Sequence, residues 1–469
     1  MTQKKLSVKQ KLGFGIFDLG GNMLFTVMGF WCLNYLTDTA GLAAAFAGTA
    51  VMMGKLWDAV TDPVMGYISD RTRSRWGRRR PYLLFGAVPM FLSMWLFFTA
   101  PGIENPILLT MWASLTLMLV NTASTVINIP YSSLTPELTG DYHERTSLNG
   151  YRFGCAVFGT IIGAAAVQPI VGLFRPEGTS RMELLSAQRT GYSFLGFILG
   201  AIMLITTLLT FWGTREQAHP KKDMPKERFF ATYKAVFTNR PYLLLLLTYA
   251  LHLCGITLLQ GILIYYTKYI FKPEETISLF GAVLAQEQIT TPAMLLLLLT
   301  AMLFIPVSVL VSKHIGKKLT YQICFVILAS ACLLIFTVGH FMGPVFFLAV
   351  MIYAGVGVGF SYVAPFAMVP DAIEYDAVKS GERKEGAYYG IWTFIAKVGQ
   401  SLAVFISGLI LDLGGYIADA VQSSGAITAI RIIVGPLPAI ILAGALIVIQ
   451  FYPLDEKTYR EIIVQEKGM

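Results

Sequence analysis

The sequence is short of charge: only 14% of its 469 residues are Asp, Glu, Lys or Arg, where a soluble domain carries roughly 25%. With 55% hydrophobic residues and a mean hydropathy of +0.61, this balance excludes an ordinary water-soluble fold. Cysteine is scarce too. Cys32, Cys155, Cys254, Cys324 and Cys332 are odd in number, widely spaced and set in apolar runs. That excludes a disulfide framework or a CxxC redox pair and leaves them as small core residues. The five histidines show neither HxxxH nor HExxH spacing, which argues against a zinc hydrolase or another metal centre. A membrane-embedded enzyme would need a nucleophile–base pair or a metal cluster; neither is legible, so a non-enzyme with no cofactor is expected. Full-length spans argue against a channel with irregular filter segments. Lys4, Lys5, Lys9 and Lys11 precede an apolar segment that lacks a small-residue cleavage site, so that segment is expected to stay as the first helix.

What the chain has in abundance is long apolar runs. Crossing a hydrocarbon core about 30 Å thick takes about 20 apolar residues. Twelve segments qualify, near 13–36, 42–68, 82–101, 106–134, 147–174, 190–213, 241–270, 292–312, 319–339, 343–370, 388–413 and 427–452. Of the 36 Lys and Arg residues, 27 fall in the termini and in the loops after even-numbered segments, against six in the other connections. This bias predicts that both termini are cytoplasmic, and it explains the net charge of +8 without nucleic acid. The expected organisation is an N-terminal six-helix bundle (1–213), a central cytoplasmic loop (214–240), a C-terminal six-helix bundle (241–452) and a cytoplasmic tail (453–469). Within the loop, Glu227–Asn239 has helical spacing of apolar residues and is expected to lie along the membrane surface.

Ionisable residues inside spans are costly and mark function by default. The second segment carries three, Lys55, Asp58 and Asp62, spaced to share one helix face. At 1.5 Å per residue from the cytoplasmic end near Asp70, Asp62 lies about 12 Å and Asp58 about 18 Å inside. Two carboxylates so close in a low dielectric need a cation or a proton. Pro63 frees the carbonyl of Ala59, and Thr61 offers a hydroxyl, so the set suits Na⁺ or, equally, H⁺. The alternative is a structural cluster in which Lys55 neutralises an aspartate. Lys397 in the eleventh segment is the second intramembrane cation; snorkelling is its alternative reading. Asp18 and Asn22 in the first segment, Thr125 and Asn128 in the fourth and Arg152 in the fifth are candidates for a cavity lining. Asn22 and Asn128 also suit interhelical hydrogen bonds, and Asp18 a gate. The charges of Asp18, Asp58 and Asp62 cancel those of Lys55, Arg152 and Lys397, so a bound cation would leave the cavity positive and favour an anionic substrate.

The loop GYISDRTRSRWGRRRP, Gly66–Pro81, resembles the signature loop of major facilitators, with a fainter copy in VSKHIGKK, Val311–Lys318. The segments WDAVTDPVMGYISDRTRSRWGRRRP (57–81), NIPYSSLTPELTGDYHERTSLNGYR (128–152) and PDAIEYD…G…IAKVG (370–399) resemble the glycoside–pentoside–hexuronide:cation symporters, the melibiose permease family of the major facilitator superfamily. The resemblance implies an all-α membrane protein with twelve transmembrane helices in two six-helix halves and substrate bound between them. It implies Na⁺, Li⁺ or H⁺ coupling at Asp58 and Asp62 with Thr61 and Thr125 nearby, and Lys397, with Lys55, communicating between cation and substrate. It places Asp18, Asn22, Asn128, Arg152, Thr393 and Lys397 at the substrate site, where Asn22 and Asn128 replace aspartates and Ser132 replaces a sugar-stacking tryptophan. It places a cytoplasmic gate at Asp70, Arg78, Arg79, Glu137, Arg145, Asp371 and Glu374. The expected activity is uptake of a sugar or sugar derivative, of anionic type such as a hexuronide, glucuronide or sulfosugar, by a monomer in a bacterial inner membrane. The same resemblance extends to lysophospholipid symporters, and a non-transporting sensor is a further reading.

Overall fold

A computed structural model describes residues 6–139, 142–174, 180–214, 236–271, 277–279, 282–284, 286–380, 385–454 and 458. The long helices are α1 (Val8–Phe30), α2 (Ala44–Arg71), α3 (Arg80–Phe97), α4 (Pro106–Ser132), α5 (Tyr142–Ala165) and α6 (Arg181–Gly213). They continue as α7 (Arg240–Tyr269), α8 (Thr290–Ile315), α9 (Lys317–Leu334), α10 (His340–Ser361), α11 (Glu385–Leu413) and α12, which runs as Ser424–Val434 and Pro436–Gln450. At the starts of α1, α4 and α7, side chains satisfy the first orphan amides. Ser7 and Gln10 form a reciprocal capping box at α1, Asn105 accepts from the amides of Ile107 (2.9 Å) and Leu108 (3.2 Å) at α4, and Asn239 caps α7.

Among the described residues, eleven helical spans are long and apolar enough to cross a membrane, one fewer than the twelve segments expected. The segment that falls short is α2. Its 28 residues extend about 42 Å at 1.5 Å per residue, ample for a crossing. The charges of Lys55, Asp58 and Asp62 are what lower its apolarity. Other differences are local. The helix expected from residue 190 begins at Arg181, and the one expected to stop near 370 is followed by a helix over Ala364–Ser380. Gly343, at φ 73°, kinks the chain ahead of Pro344, whose ring and missing N–H bar a regular turn. Between α7 and α8, Ile277–Leu279 (β1) and Ala282–Leu284 (β2) pair antiparallel, Ile277 opposite Leu284. These three-residue strands are too short for periodicity to reveal. The surface helix expected over Glu227–Asn239 falls, through residue 235, outside the described residues.

The chain packs as two compact units, one comprising Met1–Lys222 with Val404–Val421 and the other Asp223–Ala403 with Gln422–Met469. In the first, α1 packs on α5, α2 on α4, and α3 on both α4 and α6. The end of α11 joins it: the Tyr416 hydroxyl donates to Asp38 Oδ1 at 2.7 Å, and a Cβ at Gly408 would lie 2.3 Å from the Ala44 carbonyl oxygen. In the second unit α7 packs on α12, α8 on α10, and α9 on α10 and α12. Its core stacks Tyr249 on Trp392 at 4.0 Å, and Asn239 donates to the Ala372 carbonyl (2.8 Å) and the Tyr388 hydroxyl (2.9 Å).

Lipid supplies no hydrophobic drive between helices, so spans associate through close backbone approach at small residues. The contact of α1 with α5 is of this kind. A Cβ at Gly159 would lie 2.0 Å from the Leu19 carbonyl oxygen, and one at Gly163 2.7 Å from that of Met23. Gly159→Leu is therefore expected to destabilise the protein by about 3 kcal/mol, the upper range for overpacking, read as a lowered midpoint of thermal unfolding in detergent. Gly150→Leu serves as control, because nothing lies within 4 Å of its added Cβ.

Candidate functional site

The intramembrane charges of the first unit gather at two centres. The first is built on α2 and α4. Gly54 lets the helices close in, its carbonyl accepting from Asn121 Nδ2 at 2.8 Å, and Trp57 Nε1 donates across to Thr122 Oγ1 at 2.9 Å. This packing sets Thr125 of α4, which is buried, against the half-buried Asp58 and Asp62 of α2. The Thr125 hydroxyl oxygen lies 2.8 Å from Asp58 Oδ1 and 2.8 Å from Asp62 Oδ1. A hydroxyl carries a single proton and can donate to only one of them. The other short oxygen–oxygen contact is favourable only if a carboxyl carries a proton or a cation draws the oxygens together. Lys55 stands one turn earlier on α2, also half-buried. The Thr61 hydroxyl turns away from the carboxylates to its own helix, donating to the Asp58 carbonyl at 3.2 Å. Among the described residues no three His, Cys, Asp or Glu side chains gather to hold a metal ion. Two carboxylates and a hydroxyl form a hard oxygen set that suits a monovalent cation or a proton better than a transition metal.

The second centre joins α1, α4 and α5. Arg152 grips Asp18 with two contacts, Nε to Oδ2 at 2.7 Å and Nη2 to Oδ1 at 3.3 Å. Tyr131 donates its hydroxyl to the same carboxylate, and its ring lies 4.8 Å from the guanidinium carbon. Asn22 Nδ2 donates to the Asp18 carbonyl at 2.9 Å, and Asn128 Nδ2 to Ser124 Oγ at 3.3 Å, so both amides are held by their own helices. Ser132 is exposed. Tyr131 escaped the sequence reading. The only available signal was that a buried tyrosine needs a partner for its hydroxyl.

In the second unit, Lys397 is half-buried on α11; Thr393, one turn before, is exposed and donates to the Tyr389 carbonyl at 3.0 Å. Of the residues assigned to the gate, Asp70 pairs with Arg79 at 2.8 Å within the first unit, and Asp371 with Lys317 at 2.6 Å within the second. Lys317 comes from the fainter VSKHIGKK loop. Arg78 and Glu374 are half-buried, and the side chains of Glu137 and Arg145 lie outside the described residues. The ion pair of Lys11 with Glu144 at 3.1 Å, which ties the start of α1 to α5, was not anticipated.

A family model described as MFS/sugar transport protein matches residues 13–456. The chain is 29% identical over 462 residues to a glucuronide carrier protein homolog of Escherichia coli, covering 98% of this chain and 96% of that protein. It is 25% identical over 447 residues to an isoprimeverose transporter of Lactiplantibacillus pentosus, covering 95% and 89%. Among solved structures, the nucleoside transporter NupG shares the fold with a TM-score of 0.64 at 15% identity, covering 95% of this chain and 100% of that one.

Arg152 and Asp18 are three-quarters or more buried, so breaking the pair strands a charge. Asp18→Asn is expected to cost about 2–3 kcal/mol, somewhat under the range for a fully buried pair. The double variant Asp18→Asn/Arg152→Gln should recover part of that loss in detergent-solubilised unfolding measurements.

Proposed function

Because the chain belongs to the MFS/sugar transport protein family and is a multi-pass protein of the bacterial inner membrane, we propose that it is a cation-coupled symporter that takes up an anionic sugar derivative. In this reading α2 is the twelfth span, both termini are cytoplasmic and the working form is a monomer. A helix as charged as α2 is tolerated in a bilayer when its charges face protein or a water-filled cavity rather than lipid.

The observation that carries the proposal is the single hydroxyl of Thr125 set between the carboxylates of Asp58 and Asp62. In this reading the hydroxyl proton serves one carboxylate, and the other contact calls for a proton or cation between the oxygens. Na⁺ or H⁺ entering from outside supplies it, with the carbonyl freed by Pro63 as an auxiliary ligand, joined by the Thr61 hydroxyl once it leaves the Asp58 carbonyl to which it now donates. Coupling of the ion to the substrate is assigned to Lys55, on the same helix as the ion site, and to Lys397. Substrate binding falls to Arg152, Asp18, Asn22, Asn128, Thr393 and Lys397.

The preference for an anion is supported by Arg152, which engages a carboxylate through two nitrogens, the geometry a hexuronate or sulfonate group would also meet. The similarity to a glucuronide carrier homolog points the same way, while the isoprimeverose transporter among the relatives makes a neutral sugar the necessary comparison. Alternating access follows if loading relieves the cost of closure, with Asp70–Arg79 and Asp371–Lys317 as parts of the cytoplasmic gate. Linkage requires that substrate tighten ion binding by the same factor as ion tightens substrate.

Uptake into membrane vesicles tests this. Wild-type protein is expected to accumulate labelled glucuronide under an inward Na⁺ or H⁺ gradient. Asp58→Asn and Asp62→Asn should each abolish gradient-driven accumulation, and Lys397→Ala should cut it severely. Full accumulation by the Asp58→Asn/Asp62→Asn double variant would refute the ion site. Competition assays separate substrate classes: a neutral disaccharide outcompeting glucuronate would overturn the anionic assignment and leave the coupling intact.

A further inference from the structure

A groove of about 550 Å³ runs between α3 and α4, with no charged side chain in its lining. Its α3 wall extends from Tyr82 to Leu96, about 21 Å at 1.5 Å per residue, which is the reach of an extended acyl chain through one leaflet. The floor is low because Gly86, Pro89 and Ser93 present little side chain. The rims are high. Phe85 is 63% exposed, Leu92 50% and Leu119 of α4 52%, bulky apolar groups facing the surroundings.

One end of the groove is polar and strongly basic. Thr72 and Tyr82 line it and share a hydrogen bond between their hydroxyls. The adjoining chain, Gly66–Pro81, holds six arginines and one acid, Asp70, and Arg79 takes up that acid at 2.8 Å. Arg71, Arg73 and Arg75 are exposed, and none has a carboxylate partner among the described residues. Arg75 lies flat on Trp76, its Cζ 4.1 Å from the ring centroid, and Trp76 meets Phe85 of the groove rim edge-on at 5.8 Å. A contiguous path thus leads from an unneutralised guanidinium through an interfacial tryptophan to the apolar wall.

We infer that this groove is a binding site for an anionic phospholipid of the cytoplasmic leaflet, one acyl chain lying along α3 and the phosphate on Arg73 and Arg75. Any lipid fills an apolar groove; the arginines distinguish a negative headgroup from a zwitterionic one, at about fivefold in affinity per guanidinium near the surface. Asp58, Asp62 and Arg152 do not line the site, and it requires membrane embedding without requiring transport.

The test uses the full-length protein purified in detergent and titrated with phosphatidylglycerol or phosphatidylcholine of identical chains, with binding read by native mass spectrometry. Wild-type protein is expected to prefer phosphatidylglycerol by about thirtyfold, the product of two guanidiniums. Arg73→Gln/Arg75→Gln should lose that preference, while Arg73→Lys/Arg75→Lys should keep most of it. Leu92→Trp, at an exposed position, should fill the groove and weaken both lipids at least tenfold. Equal binding of the two lipids by wild-type protein would overturn the site, as would a preference that survives in Arg73→Gln/Arg75→Gln. Undiminished binding in Leu92→Trp would also overturn it, by reducing the effect to adhesion on an arginine patch.

Discussion

A single hydroxyl proton placed between two carboxylates is the constraint around which the first unit is arranged. Thr125 touches Asp58 and Asp62 at equal distance, and its one hydroxyl proton can be donated to only one of them. The rest of the local structure serves this spacing. Gly54 and Asn121 pin α2 to α4, and the bond from Trp57 to Thr122 fixes the rotation of one helix about the other. A change of helix register by one residue would carry Thr125 off the face that the aspartates share.

The burden falls on α2, which trades apolarity for chemistry and is the one long helix in its half that is too charged to be recognised as a span by composition. Other elements compensate by geometry. Gly159 and Gly163 bring α5 against the backbone of α1, and Gly408 brings the end of α11 against Ala44. These contacts rely on dispersion at short range, the main attraction left once water is gone.

Much of this is legible in the sequence, for identifiable reasons. The spacing of Asp58 and Asp62 in an apolar run shows a shared helix face, and the gate assignment put Asp70 and Arg79, which form an ion pair, in one group, because each depends on local order along the chain. Tyr131 and the Lys11–Glu144 pair were not legible. Each depends on which distant residue a helix turns toward, and a tyrosine within a span looks the same in sequence whether it faces a carboxylate or lipid. Helix ends were harder still. The first turns of α6 are polar yet helical, and the hairpin after α7 consists of strands too short to show alternation. The lipid groove depends on small residues at Gly86, Pro89 and Ser93 flanked by large ones, a relief that emerges only when α3 and α4 are set side by side.

Arg152 already clasps an acid, that of Asp18 on a neighbouring helix. In the proposed function an incoming carboxylate would meet no vacant cation at Arg152; it would enter as a rival for an occupied one. Recognition would then be an exchange of partners, in which the displaced Asp18 keeps the Tyr131 hydroxyl that already donates to it. Such an exchange would hold resting affinity down while preserving selectivity, since a guest that cannot replace the native acid in kind would leave the original pair undisturbed.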